Sequence, residues 1–350
     1  MSEIDYLAVN RANWDERVAI HVASDFYDVP GFKAGGDPLR DFEIEEVGDV
    51  AGKSLAHLQC HFGLDTLAWA RRGAQVCGLD LSEKAVETAT ALAEECGLEA
   101  RFVAADVYDA PVALGGAYDI VYTGIGALVW LPDMRRWAEV VAALLKPGGF
   151  LYLSEFHPFT DMLDDAEGST VTFDYFRSDP QIWDEPYTYT GSEELANTTS
   201  VQFQHTLGEV VSALAWAGLR IDFLHEHDHT LFRRFGNLEA HGPVYRLPEG
   251  LAAHPADVLH QGEPTGIGAM TRQDLPFQAA VLSPEKKLPV VREEVISVLA
   301  ALSAVMAIRM WSTLLSQGGT RCHRREHGGG RDRRLVVTGH DTPVSLPDMT

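Results

Sequence analysis

SLAHLQ (54–59), AQVCGLDL (74–81), ARFVAADV (100–107), YDIVYTG (118–124) and GFLYLSEF (149–156) decide the fold. Each is a short apolar run. The stretches between them, DTLAWARRG, SEKAVETATALAEECG and MRRWAEVVAALLKPGG, carry helical periodicity. Runs buried on both faces and alternating with helices indicate βαβ units and a parallel sheet. The reading is therefore an α/β protein with a doubly wound, Rossmann-like sheet.

Upstream, residues 1–50 are polar and mixed. Asn10, Trp14, Arg17, Val18 and His21 share helical spacing there, so the segment reads as an N-terminal helical cap. Downstream, residues 160–200 break the rhythm with Phe173, Tyr175, Phe176, Trp183, Tyr187 and Tyr189. HTLGEVVSALAWAGLRIDFLHEHD (205–228) then resumes with one helix, a stop at Gly218 and one strand.

The chain has 350 residues, room for one large or two ordinary domains. With 46% hydrophobic and 23% charged residues it is globular. Its net charge of -23 repels phosphate backbones, so no nucleic-acid partner is expected. Residues 263–350 hold 11 Lys+Arg and 9 Asp+Glu, so the acidity belongs to the first part. Cys60, Cys77, Cys96 and Cys322 suggest reduced thiols in a cytosol. The N-terminus has no basic segment followed by an apolar run, and no signal peptide is visible. In VREEVISVLAALSAVMAIRMWSTLLSQ (291–317) the uncharged run 295–308 is too short to span a bilayer. A packed or partner-binding helix is expected, and no membrane anchor.

Parallel sheets bind ligands outside the carboxyl ends of their strands. The first strand ends in HLQCHFGLDT, with Gly63 in the turn, the second in Asp80 and the third in Asp106. An acid at the second strand end can accept from both hydroxyls of a ribose, and one at the third from an adenine amino group. Each acid alone also fits a helix cap. Together with the turn glycine they favour a nucleoside ligand.

These residues, with YDIVYTGIGALVWLPD and LKPGGFLYLSEFHP, resemble the class I S-adenosylmethionine-dependent methyltransferases, in particular an uncharacterised bacterial group with the HLQCHFGLDT variant. The resemblance covers about residues 10–250. It implies a seven-stranded methyltransferase sheet in a domain spanning 51–250. It also implies that Cys60 and Gly63 hold the methionine part of S-adenosylmethionine and Asp80 its ribose. Asp106 would hold the adenine amine, Leu81 and Val107 would flank the ring, and Thr123 would lie near the methyl donor. Arg17 is expected to pair with the cofactor carboxylate, and the 160–200 insertion to cover a flat or apolar substrate. One departure stands out. The common first turn carries an acid two residues before three alternating glycines, whereas here those positions read His57, Gln59, His61 and Gly63. The methionine end is therefore expected to sit differently, or further from the backbone.

Methyl transfer aligns a nucleophile with a sulfonium and sometimes removes its proton. His157, after strand five in SEFHP, is the first candidate base and Glu155 the second. The alternatives are a loop histidine satisfied by backbone and a carboxylate serving as cap or ion pair. His225, His227 and His229 would share one strand face and could bind zinc. Methyl transfer needs no metal, and none is expected.

The resemblance calls for a last strand between strands five and six. Members of the group end in something like PRIPLMYSLRA soon after an LPE segment. Here RLPEG (246–250) runs into LAAHPADVLHQGE, one back-translation of which, read one base later, gives SPRIPLMYSIKA. The expectation is an atypical, poorly packed extension over 251–350 that left its ancestral frame. PFQAAVL (276–282) and RLVVTG (334–339) are substitutes for the strand without a close match.

The resulting expectation is a cytoplasmic methyltransferase acting on an oxygen or nitrogen of a small molecule, with a homodimer as a permitted assembly. A non-catalytic S-adenosylmethionine-binding protein is the alternative. A nicotinamide-dependent oxidoreductase would want G-x-G-x-x-G after the first strand, which CHFGLD lacks. A nucleic-acid methyltransferase would want Asn/Asp-Pro-Pro-aromatic after the fourth, where TGIGAL stands.

Overall fold

The structure is a computed structural model that describes residues 4–163, 168, 170–191, 193–227, 229–236, 238–241, 244–246 and 277–284. All of them fall within one compact unit, residues 1–292. Residues 247–276 and 285–350, with LAAHPADVLHQGE, the apolar run 291–317 and RLVVTG, lie outside the described residues.

The strands β1 (Ser54–Leu58), β2 (Gln75–Asp80), β3 (Ala100–Ala104), β4 (Tyr118–Thr123) and β5 (Leu145–Phe156) follow the five apolar runs. They pair in parallel in the order β3-β2-β1-β4-β5. The strand order reverses between β1 and β4, so a crevice opens at their carboxyl ends. The fifth strand begins at Leu145 rather than 149, because LKPGG joins the ladder through a register shift opposite Tyr118 and Ile120. Two antiparallel pairs lie outside this sheet, β6 (Gln181–Asp184) with β7 (Thr199–Gln202), and β9 (Glu239–His241) with β10 (Val244–Arg246).

Beyond β5 the sheet continues through β11 (Phe277–Pro284) to β8 (Leu219–His227). β11 runs antiparallel to both, with Phe277 opposite Phe156 and His227. The position for which the sequence offered no close match is thus filled by the backbone of the PFQAAVL segment. A run this short carries no sign of its pairing direction, so only the sheet context could choose it.

The helices are α1 (Tyr6–Ala23), α2 (Val29–Lys33), α3 (Asp41–Val47), α4 (Leu64–Arg71), α5 (Glu83–Cys96), α6 (Ala110–Leu114), α7 (Met134–Leu144) and α8 (Leu207–Trp216). Successive strand residues point to opposite faces, and each face has its own core. Leu55, Ile120, Tyr122 and Tyr152 meet Trp69 of α4, Leu92 of α5 and Val18 of α1. Ala56, Leu58, Val121 and Leu151 meet Trp137 of α7 and Leu214 of α8. Both tryptophans are wholly buried, so both faces of β1 and β4 are dry and only their ends are left for chemistry. No helix among the described residues is long and apolar enough to cross a membrane.

Candidate functional site

The turn after β1 settles how this chain manages without two glycines. Gln59, His61 and Gly63 have φ of 57°, 50° and 77°, all left-handed. The backbone follows the course that alternating glycines would favour, with side chains carried at two of the three positions. Each non-glycine residue in that region costs about 1 kcal/mol or more, and such strain persists where surrounding bonds over-determine it. Those bonds are present. The His61 N–H donates to Asp80 Oδ2 (2.7 Å), Gln59 Nε2 donates to the Ala127 carbonyl (2.8 Å), and His61 Nε2 lies 2.9 Å from His21 Nδ1. His57 sits behind the turn, its Nδ1 2.7 Å from Thr66 Oγ1 and its ring against Tyr122, and burial lowers its pKa to about 3. It is a core residue.

Asp80 ends β2 beside this turn. Its Oδ1 accepts from Ser82 N–H (2.9 Å), and burial pushes its carboxyl up to about 6. Asp106 follows β3 and accepts from Tyr108 N–H (3.0 Å), capping a 3-10 turn. Val107 is buried and Leu81 half-buried. Cys60 is buried in the turn, and desolvation raises its thiol well above its ordinary value. Thr123, at the end of β4, is fully buried with no partner for its Oγ1. The residues expected to hold a nucleoside therefore line up along the carboxyl ends of β1 to β4.

Helix α1 crosses this edge and ties it to the insertion. On one side Asp15 Oδ1 accepts from Ser82 Oγ (2.5 Å), and His21 reaches His61. On the other, Asn10 donates to the Val201 carbonyl and accepts from its N–H, both at 2.8 Å, while Glu16 accepts from Ala196 and Asn197 N–H (2.6 and 2.8 Å). Asn10→Ala should lower stability by about 2 kcal/mol, the scale of two buried backbone groups left unpaired. Amide exchange at 199–202 should rise with it, and unaltered exchange there would show that other contacts hold β7.

Arg17 lies on α1 between these two sets of contacts. It is only 5% exposed, its guanidinium stacks against the indoles of Trp14 (5.1 Å) and Trp130 (5.8 Å), and its Nε has no hydrogen-bond partner. No ion pair reaches it among the described residues. Glu185 acts on it only at a distance, and a buried cation without a direct ion pair is costly, so Arg17 is poised for an anion.

Arg17 opens on a cavity of about 1180 Å³ whose walls include Tyr27, Trp130, Phe156, Tyr189 and Phe232. The two tyrosine hydroxyls meet at 2.6 Å, joining the N-terminal segment to the insertion. Of the insertion's aromatics only Tyr189 faces this cavity. Phe173 and Trp183 line a smaller one of about 180 Å³, and Phe176 is exposed. Tyr27, Trp130 and Phe232 were not singled out in the sequence, where each stands alone without a periodic partner.

The two candidate bases have other occupations. Glu155 Oε1 accepts from Gly126 (2.6 Å) and Phe156 (2.8 Å) N–H, and its Oε2 from Ala127 and Leu128 N–H, both at 2.9 Å. Burial raises it to about 7 against these four donors. It fastens the turn after β4. His157 is buried; its Nδ1 accepts from Phe159 N–H (3.0 Å) and its Nε2 lies 3.2 Å from Glu226 of β8. Both ring nitrogens thus have protein partners. Among the described residues no group of three or more His, Cys, Asp and Glu could hold a metal. His225 pairs with Glu46 (2.5 Å), and the rings of His227 and His229 lie near Phe42.

Residues 56–149 match a family described as a methyltransferase domain. A ubiquinone biosynthesis O-methyltransferase of Cronobacter sakazakii is 35% identical over 137 residues, 38% of this chain and 56% of that protein. One of Bordetella avium is 34% identical over 119 residues, 34% of this chain and 49% of that protein. The chain thus spans about half the length of these relatives. A solved S-adenosylmethionine-dependent methyltransferase from Clostridium acetobutylicum is 12% identical, with 78% of this chain and 99% of that one covered and a TM-score of 0.47. With its reversed strand order, its first turn and the acids that follow β2 and β3, the segment 56–149 is a methyltransferase domain on a Rossmann-like sheet.

Proposed function

We propose that this chain transfers a methyl group from S-adenosylmethionine to an oxygen or nitrogen of a small molecule. The observation that carries the reading is a left-handed first turn hydrogen-bonded to Asp80 beside the unpaired, buried guanidinium of Arg17. The residues fit the cofactor. Asp80 would accept from the ribose hydroxyls and Asp106 from the adenine amine, with Leu81 and Val107 against the ring. Arg17 would pair with the carboxylate, and Cys60, Gly63 and Thr123 would border the methionine chain. When bound, the cofactor supplies an electrophilic methyl group on a sulfonium. The chain's own part is alignment and exclusion of water.

Substrate would enter the aromatic side of the cavity, where Tyr189 and Phe232 offer ring faces to a flat or apolar molecule. The relatives named as O-methyltransferases favour oxygen. Glu155 and His157 are positioning residues in this reading: one holds the turn at 126–128, the other ties the end of β5 to Glu226. Because both are already bonded, binding without turnover is the second reading. The cytoplasm, a homodimer and the division into 1–50, 51–250 and 251–350 belong to the same proposal. The gene's nucleotide sequence tests the last of these.

Calorimetry of the full chain should give heat with S-adenosylmethionine and none with NAD. Labelled methyl transfer into cell extract should then yield a product. Binding with no product in any extract would favour the second reading, and no binding would end both.

A further inference from the structure

We infer that Gln59 and His61, with His21 fixing the His61 ring, receive the α-ammonium of the cofactor through side-chain acceptors. The inference rests on the cofactor reading above and concerns the two positions where the chain departs from glycine.

At both positions the backbone is left-handed, where glycine would be free of strain, and at both the chain carries a long polar side chain. Each side chain has one atom tied and one spare. Gln59 Nε2 is held by the Ala127 carbonyl, which fixes the amide's orientation and leaves Oε1 buried without a partner. His61 Nε2 is held by His21 Nδ1, and His61 Nδ1 is buried without a partner. Buried polar atoms are normally satisfied. Two orphans on alternate residues of the segment after β1 therefore point to a ligand group.

The proton count says which kind of group. Burial and the charge of Arg17 hold both imidazoles neutral, His21 near 3 and His61 well below its ordinary value. A neutral pair has one N–H in the shared bond and one outside it. When His61 Nε2–H donates to His21 Nδ1, His61 Nδ1 is a bare lone pair and the outer proton lies on His21 Nε2, which is also buried without a partner. In the converse tautomer His61 Nδ1 becomes a donor. A cationic N–H donor selects the first arrangement.

The charges on the two elements are complementary to an α-amino acid. The first turn offers acceptors, Gln59 Oε1 and His61 Nδ1. Helix α1 offers the guanidinium of Arg17, which has no direct ion pair, one turn before His21. A zwitterion would satisfy both at once. A nucleoside lacking the amino-acid end would satisfy neither.

The test is calorimetry of the full chain with S-adenosylhomocysteine and with 5′-methylthioadenosine, which lacks that end. Gln59→Met and His61→Phe remove the acceptors and keep bulk. Each should weaken S-adenosylhomocysteine about 10- to 100-fold, the scale of a hydrogen bond to a charged group, and leave 5′-methylthioadenosine within about twofold. Unchanged S-adenosylhomocysteine affinity, or an equal fall for both ligands, overturns the assignment. If His61→Phe fails to fold, Gln59→Met decides alone. A wild-type chain that binds both ligands equally removes this inference and leaves the cofactor reading standing. One that binds neither removes both.

Discussion

Asp80→Asn should weaken S-adenosylhomocysteine about 10- to 100-fold, corresponding to about 1–3 kcal/mol for a buried hydrogen-bond partner, and should also flatten the acid side of the stability profile. The carboxylate takes the His61 N–H on one oxygen and the Ser82 N–H on the other, so it sets the first turn against the β2–α5 turn. Burial nevertheless lifts its pKa to about 6, and the nearby Asp15 carboxylate adds to the lift. An unfolded aspartate titrates near 3.9. Between those values the folded chain holds more protons than the unfolded one, so stability falls as pH rises from about 4 to 6. The anion present at neutral pH costs the fold about 2–3 kcal/mol at this site. Ligand affinity should have the opposite slope, because ribose hydroxyls donate to the anion. Measured together, melting temperature and affinity should cross between pH 5 and 7 in the wild type, and both slopes should shrink in Asp80→Asn. Parallel slopes, or an affinity untouched by the substitution, would remove the ribose role.

The sheet was legible in the sequence because its strands are buried on both faces and read as unbroken apolar runs. The acids at the ends of β2 and β3 were legible for the same reason, since a buried run makes its first polar residue conspicuous. What was hidden was set by distant partners. Gln59 and His61 read as lost glycines, while the turn keeps its left-handed course because Asp80, Ala127 and His21 hold it there. His157 stands at the carboxyl edge where a base belongs, but Glu226, far along the chain, occupies its Nε2. Glu155 looked like a spare acid until the turn at 126–128 closed around it. Helix α6 has five residues, too few for a period to show. Single-sequence patterns report burial well; they do not report which atoms are already spoken for.

Gly63→Ala should destabilise the chain by about 2–5 kcal/mol, and the loss should split into two measurable parts. The first is backbone. Gly63 has φ of 77°, where an L-residue costs about 1–2 kcal/mol. The second is space. A Cβ there would stand 2.6 Å from Phe102 Cε1 and 2.9 Å from Ala89 Cβ. The Phe102 ring has no retreat, because a Cβ on Gly78 would likewise stand 2.6 Å from it. The two glycines form a slot, and β3 fills it with one aromatic edge. Overpacking of this kind costs about 1–3 kcal/mol. Phe102→Leu in the Gly63→Ala background should recover the second part and not the first, so a double-mutant cycle by denaturant unfolding should give a coupling of about 1–2 kcal/mol. His61→Gly supplies the contrasting case. It removes left-handed strain two residues earlier, at the expense of the bond to His21, and should change stability far less than Gly63→Ala. If Gly63→Ala unfolds at the wild-type midpoint, the slot is not tight, and Gly63 matters to the turn only through the ligand it admits.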